Sequence, residues 1–196
     1  MRGVITMSER ITGHTELIGL MAYPIRHSSS PAMQNEAFAK LGYDYAYLAF
    51  EVGADEIEDA VNAIRTLKMR GSNVSMPNKT LVGQYLDELS PAAEMCGAVN
   101  TIVNDHGHLT GHITDGIGFM AALKDNNIDA IGKKMTIVGA GGAATAIEIQ
   151  AALDGVGEIV IFNRKDEFWG RAVSTVEKIN TRTSSHAVLY LSLIHI

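Results

Sequence analysis

The sequence predicts an α/β protein built in two parts, and three observations carry that prediction. Apolar, β-branched runs alternate with helix-forming runs along most of the 196 residues, the pattern of sheets covered by helices, with parallel-type pairing expected. A glycine cluster, Gly139-Ala140-Gly141-Gly142, stands between one strand-like run and one helix-forming run. Polar residues gather at strand ends, where α/β folds place their sites.

In chain order, Glu16 to Ala22 reads as a buried strand. A polar loop follows from Tyr23 to Ser30. Ser30 reads as an N-cap with Pro31 at the first helical position, and Met33, Ala37, Phe38 and Leu41 recur at helical spacing until Gly42 stops the helix. Tyr45 to Phe50 is an aromatic-rich strand. Asp55 to Lys68 is an amphipathic helix with Ile57, Val61, Ile64 and Leu67 on one face. Gly71 to Met76 is a short strand ended by Pro77, and Asn78 to Tyr85 reads as helix. Pro91 to Cys96 is a further helical piece. Val99 to Val103 and His108 to Ile113 flank a hairpin turn at Asn104 to Gly107. Asp115 to Asn126 reads as a helix.

The second part begins with the strand Lys134 to Val138. Gly139, Gly141 and Ala144 occupy the G-x-G-x-x-G/A positions between that strand and a helix from Ala143 to Leu153. The first glycine permits the turn, the second admits a pyrophosphate to the backbone, and the helix N-terminus attracts the anion. This makes the second part a Rossmann-type dinucleotide-binding domain. Glu158 to Phe162 is its second strand, Glu167 to Asn180 its second helix, and Ala187 to Leu191 a weak strand. Such a fold carries further βα units, so the domain is expected to be incomplete. The tail Leu191 to Ile196 has the residue order that one reading frame of a sequencing adapter encodes, and it is set aside as non-native. The expected division is residues 10–114, residues 115–190, and residues 191–196 as tail. Met7 is an alternative start.

The net charge of −6 argues against nucleic acid as a partner. No apolar run approaches a membrane span, and no signal-peptide core is found, so a cytoplasmic location is expected. Cys96 is the single cysteine, which fits a reducing compartment and reads as a small packed residue rather than a nucleophile. His106, His108 and His112 have poor spacing for one metal ion, and no metal site is expected.

Ser28 and Ser30 bring two hydroxyls to a helix N-terminus, an arrangement suited to a carboxylate. Capping alone would explain Ser30 but not Ser28. In Val74-Ser75-Met76-Pro77-Asn78-Lys79 a hydroxyl, a turn and a cation follow a strand end; a plain surface lysine is the alternative for Lys79. Asp115 could cap the helix that it opens. As chemistry, a Lys79–Asp115 pair would relay a proton beside a hydroxyl-bearing substrate. Asp115 alone would make Lys79 a poorer base, and burial or an oxidised nicotinamide would have to offset this. In Asn163-Arg164-Lys165-Asp166, the cations suit a 2′-phosphate and the acid suits ribose hydroxyls, so NAD and NADP both stay open.

Taken together, these residues resemble the shikimate dehydrogenase family. Pro24 to Pro31 resembles its substrate-carboxylate loop and Val74 to Lys79 its catalytic-lysine motif. Gly97-Ala98-Val99-Asn100-Thr101 and Thr114-Asp115-Gly116 resemble its other substrate motifs, and Gly139 to Ala143 with Asn163-Arg164 its cofactor motifs. Met76-Pro77-Asn78-Lys79 and Asp166 look closer to the quinate/shikimate dehydrogenase subgroup. The resemblance implies an NAD- or NADP-dependent oxidoreductase of aromatic amino acid biosynthesis or quinate metabolism. It would interconvert shikimate and 3-dehydroshikimate, with quinate and 3-dehydroquinate as a second pair. By position it implies Ser28, Ser30, Tyr47, Ser75, Asn100 and Thr114 around the substrate and Lys79 with Asp115 as the catalytic pair. Gly139, Ala140, Gly141, Gly142, Ala143, Asn163, Arg164, Lys165 and Asp166 would hold the cofactor. The partner is a small molecule, with a homodimer open. Ile113 departs from the family's usual asparagine, and the family's later motifs are absent, so weak or no turnover is expected of this chain. Two readings compete: a ligand-binding sensor without catalysis, and a folate-linked dehydrogenase with no need of Ser28 and Ser30.

Overall fold

In the computed structural model, which describes residues 11–191, the first apolar run forms strand β1, Glu16–Ala22, as predicted. Helix α1, Ser30–Leu41, begins one residue earlier than the capping pattern implied. Its N-cap is Ser29, and Ser30 already belongs to the first turn. Gly42, at φ +75°, closes the helix with a left-handed cap. Phe38 packs on the core, whereas Met33 and Leu41 are exposed. Strand β2, Tyr45–Glu51, lies parallel to β1. Helix α2, Ile57–Thr66, buries Ile57, Val61 and Ile64. Leu67, expected on that face, follows the helix and is exposed.

Strand β3 is shorter than predicted, Gly71–Val74. The stretch after Pro77 is not one helix but two 3₁₀ turns, Asn78–Thr80 and Val82–Tyr85. Strand β4, Glu88–Leu89, and the hairpin β5, Thr101–Asp105, with β6, His108–His112, complete the first sheet. Among the described residues its order is β2-β1-β3-β5-β6-β4. This sheet is mixed, not purely parallel: β3–β5 and β5–β6 are antiparallel. For β5–β6 the cause is the turn at His106 and Gly107, where both residues have positive φ (52° and 101°) and return the chain beside itself. Leu20, Ala22, Ile25 and Tyr47 form a core cluster in this unit.

The remaining elements form a second unit, which comprises Ser90–Gly97 and the chain from Ile113 onward. The short helix α3, Pro91–Cys96, therefore belongs here. Ser90 caps it by accepting the Ala93 N–H, and Gly97 ends it at φ +64°. Lys178 Nζ donates to the Met95 carbonyl at 2.8 Å, and Arg182 pairs with Glu94 at 2.8 Å. Helix α4 spans Asp115–Asp125, β7 Lys134–Val138, α5 Gly142–Asp154, β8 Glu158–Asn163, α6 Trp169–Arg182 and β9 His186–Leu191. The strands run parallel in the order β7-β8-β9, with α5 and α6 as crossovers. Leu191 pairs with Asn163 as the last residue of β9, where the expected weak strand ends. The rest of the proposed tail, and Met7, lie outside the described residues.

Candidate active site

In the first unit, backbone hydrogen bonds gather the segments that follow the strands. Ser75 N–H donates to Met21 O at 3.0 Å and Tyr23 N–H to Met76 O at 3.1 Å. Val74 N–H donates to Asn100 O at 2.8 Å, and Val99 N–H to Lys79 O at 2.8 Å. The loop of Ser75 and Lys79 is thereby tied to the end of β1 on one side and to Asn100 on the other. Lys79, Ser75, Ser28 and Ser30 are all half-buried, so Lys79 is not a plain surface lysine.

The serine loop works differently from the capping pattern. Ser28 Oγ accepts the Ser30 N–H at 3.2 Å. Ser28, not Ser30, satisfies a backbone donor at the helix entrance. Tyr47, expected beside the substrate ring, is 2% exposed and its hydroxyl donates to Asn73 Oδ1 at 2.8 Å. Burial pushes its phenol up to about 12. From Asn73 a chain runs onward: Nδ2 donates to Thr101 Oγ1 at 3.1 Å and to Asn100 O at 3.3 Å. Thr101 Oγ1 then donates to Asn100 Oδ1 at 3.0 Å. Asn73 and Asn35 were not singled out by motif. A polar residue inside a four-residue strand was the available signal for Asn73. Nothing in the spacing marks Asn35.

In the second unit, Asp115 is the first residue of α4 and Thr114 its N-cap, so Asp115 does not cap the helix. Both are exposed. Gly116 is buried because α4 passes close to α5: a Cβ there would stand 2.3 Å from Ala146 O. Gly139, at φ +109°, turns the chain out of β7, and its N–H donates to Phe162 O at 2.7 Å. Gly141 caps α5, and a Cβ built on Gly139, Gly141 or Gly142 would meet open space. Such a cradle of free backbone at a helix N-terminus fits a dinucleotide's pyrophosphate, with Ala140 and Ala143 beside it.

At the end of β8, Asn163 is buried and donates from Nδ2 to Arg164 O at 2.8 Å and Asp166 Oδ1 at 3.1 Å. Asp166 Oδ1 also accepts the Phe168 N–H, and Oδ2 accepts Arg164 Nε at 2.8 Å. The guanidinium of Arg164 holds the Asp166 carboxyl below its ordinary range. Asp166 is thus engaged in building the entrance to α6, whereas Arg164 and Lys165 are exposed. Burial pushes the Cys96 thiol up to about 12, which disfavours its thiolate.

Residues 20–102 match the family described as the shikimate dehydrogenase substrate binding domain. Over 184 residues the chain is 70% identical to a shikimate dehydrogenase (NADP(+)) of Listeria innocua, covering 94% of this chain and 63% of that relative. Over nearly all of its length the chain is similar to members of the shikimate dehydrogenase family. It spans about 63% of the length of the curated relatives it matches. A solved member of the shikimate dehydrogenase family, shikimate 5-dehydrogenase from Listeria monocytogenes in complex with shikimate and NAD, is 69% identical. It superposes with a TM-score of 0.90 over 93% of this chain and 63% of that one. A 5-ketofructose reductase of Gluconobacter is 33% identical, with a TM-score of 0.85 over 92% of this chain and 64% of that one. Among the described residues, no helix is long and apolar enough to cross a membrane.

Proposed function

We propose that this protein is an NADP- or NAD-dependent oxidoreductase that interconverts shikimate and 3-dehydroshikimate. The observation that carries this reading is the 69% identity to a chain whose structure holds shikimate and NAD. It is supported by the gathering of Ser75, Lys79 and Asn100 on segments tied together in the first unit. Ser28 and Ser30 hold the substrate carboxylate, and Ser75 and Asn100 take ring hydroxyls, with Thr114 as a further hydroxyl donor. Lys79 draws the proton from the alcohol that is oxidised, and Asp115 is its partner by resemblance. When bound, the nicotinamide supplies the hydride acceptor. Gly139 to Ala143 hold its phosphates. The exposed Lys165, next to an Arg164 that already pairs with Asp166, supports 2′-phosphate recognition, so NADP is proposed alongside NAD. Quinate is proposed as a second substrate on the strength of Met76-Pro77-Asn78-Lys79.

The experiment is a titration with shikimate, read by calorimetry, alongside nicotinamide absorbance with NADP+ and NAD+. Shikimate is expected to bind this chain, and cofactor is expected to be reduced by a form extended to the full length of the relatives. In that full-length form, Lys79→Ala is expected to lower turnover about 10²–10⁴-fold with melting unchanged. Near-normal turnover in that variant removes Lys79 from the mechanism. Binding by the full-length form without any reduction favours a sensor. Binding of 5-ketofructose in preference to shikimate overturns the substrate assignment.

A further inference from the structure

Strand β2 is the edge of the first sheet, and an edge residue carries backbone groups that a neighbouring strand would otherwise take. At Tyr47 a side chain supplies that partner. The Tyr47 N–H donates to Asn35 Oδ1 at 2.9 Å, and Asn35 Nδ2 donates to Tyr47 O at 2.8 Å. Asn35 Nδ2 also donates to Pro31 O at 2.7 Å, one turn back in α1. The orientation of this carboxamide is unambiguous, because a backbone N–H can only donate and a carbonyl can only accept.

The same logic orders the rest of the chain. Asn73 Nδ2 faces the Asn100 carbonyl, so Asn73 Oδ1 must face Tyr47 and the phenol must donate. The two Asn73 amide protons go to Asn100 O and Thr101 Oγ1, so the Thr101 proton is directed to Asn100 Oδ1. Each link fixes the next, and polarity runs one way, from the phenol to Asn100.

We infer that Asn35 is a positioning residue: by holding both backbone groups of Tyr47 it aims the hydroxyl at Asn73 Oδ1, and so helps to hold the hydrogen-bonded chain through Asn73 and Thr101 that ends on Asn100. This rests on the reading of the first unit as a shikimate site, in which Asn100 takes a ring hydroxyl. The raised phenol pKa keeps Tyr47 a donor throughout the ordinary pH range.

The test is a double-mutant cycle on shikimate affinity with Asn35→Ala and Tyr47→Phe, with melting temperature as the folding control. Asn35→Ala is expected to weaken binding about tenfold in the parent chain, the effect of losing one hydrogen bond. In the Tyr47→Phe background it is expected to weaken binding by no more than about twofold, because the link it serves is already gone. An equal loss in both backgrounds makes Asn35 merely structural and overturns the inference. Asn35→Asp keeps the acceptor for the Tyr47 N–H and is expected to restore part of the affinity; full loss counts against the inference. A second readout needs no ligand. The Asn73 side-chain amide protons, followed by NMR, are expected to exchange slowly in the parent chain and faster in both single variants. Exchange at the parent rate in Asn35→Ala overturns the inference. A parent chain that takes no shikimate overturns the ligand reading, and the exchange comparison then still decides the role of Asn35.

Discussion

At the scale of single residues, the most telling group outside the proposed chemistry is Glu148. It lies in α5, is 0% exposed, and neither carboxyl oxygen has a hydrogen-bond partner among the described residues. Thr145 Oγ1, one turn earlier, is likewise buried and unpartnered among them. Burial pushes the Glu148 carboxyl up to about 8. The folded chain therefore keeps a proton that the unfolded chain releases above about pH 4.5. The stability that Glu148 contributes is fully present below that value and is lost as pH rises through about 8, by a total on the order of 3–5 kcal/mol. Glu148→Gln is expected to flatten this dependence. Urea denaturation at about pH 6 and pH 8.5 checks it: parallel curves for both chains would mean that Glu148 does not hold its proton.

At the scale of elements, the close approach of α4 and α5 depends on one residue. Gly116 has no room for a methyl, because the obstacle is the backbone carbonyl of Ala146 and cannot rotate away. Gly116→Ala is expected to destabilise the second unit by about 1–3 kcal/mol, the usual range for overpacking. The midpoint of chemical unfolding, monitored by Trp169 at the start of α6, measures this. An unchanged midpoint would mean that the helices separate at no cost. Gly116 also clarifies a motif. In Thr114-Asp115-Gly116 the sequence marks three residues together, yet the glycine serves helix packing and Asp115 the proposed chemistry. Adjacent motif residues need not share a task.

At the scale of the whole molecule, each unit has its own sheet and its own buried residues. Two cores of this kind are expected to melt as separable transitions. Most of the proposed shikimate contacts lie in the first unit and the proposed phosphate contacts in the second. Shikimate at about 100 times its dissociation constant should therefore stabilise chiefly the first transition, by up to about 2.7 kcal/mol, and NADP+ at the same ratio chiefly the second. Calorimetry with each ligand alone provides the check. A single transition moved equally by either ligand would contradict that distribution of contacts.

Most of the fold was legible because local patterns report local structure. The strand Lys134–Val138 and the short helix Pro91–Cys96 appear with the predicted bounds. The apolar runs, Pro31 near a helix start, and the glycines at positions 42 and 139 specify backbone geometry wherever they occur. The residue types of the proposed chemistry were legible for the same reason, since serine, lysine and aspartate carry their reactivity with them. What spacing cannot report is which polar groups are consumed by the protein itself. Tyr47 and Asp166 read as ligand contacts, yet one hydroxyl serves Asn73 and one carboxylate serves the entrance to α6. Asn35 reads as an ordinary helix residue, yet it holds a strand edge twelve residues away. The sequence by itself determined the elements, their order and the reactive side chains. Only the tertiary structure decided that β3 and β5 pair antiparallel, the direction of each hydrogen bond, and which polar groups remain for a ligand. The physical reason is that these depend on partners distant in sequence, and a hydrogen-bonding group already satisfied inside the fold is no longer available outside it.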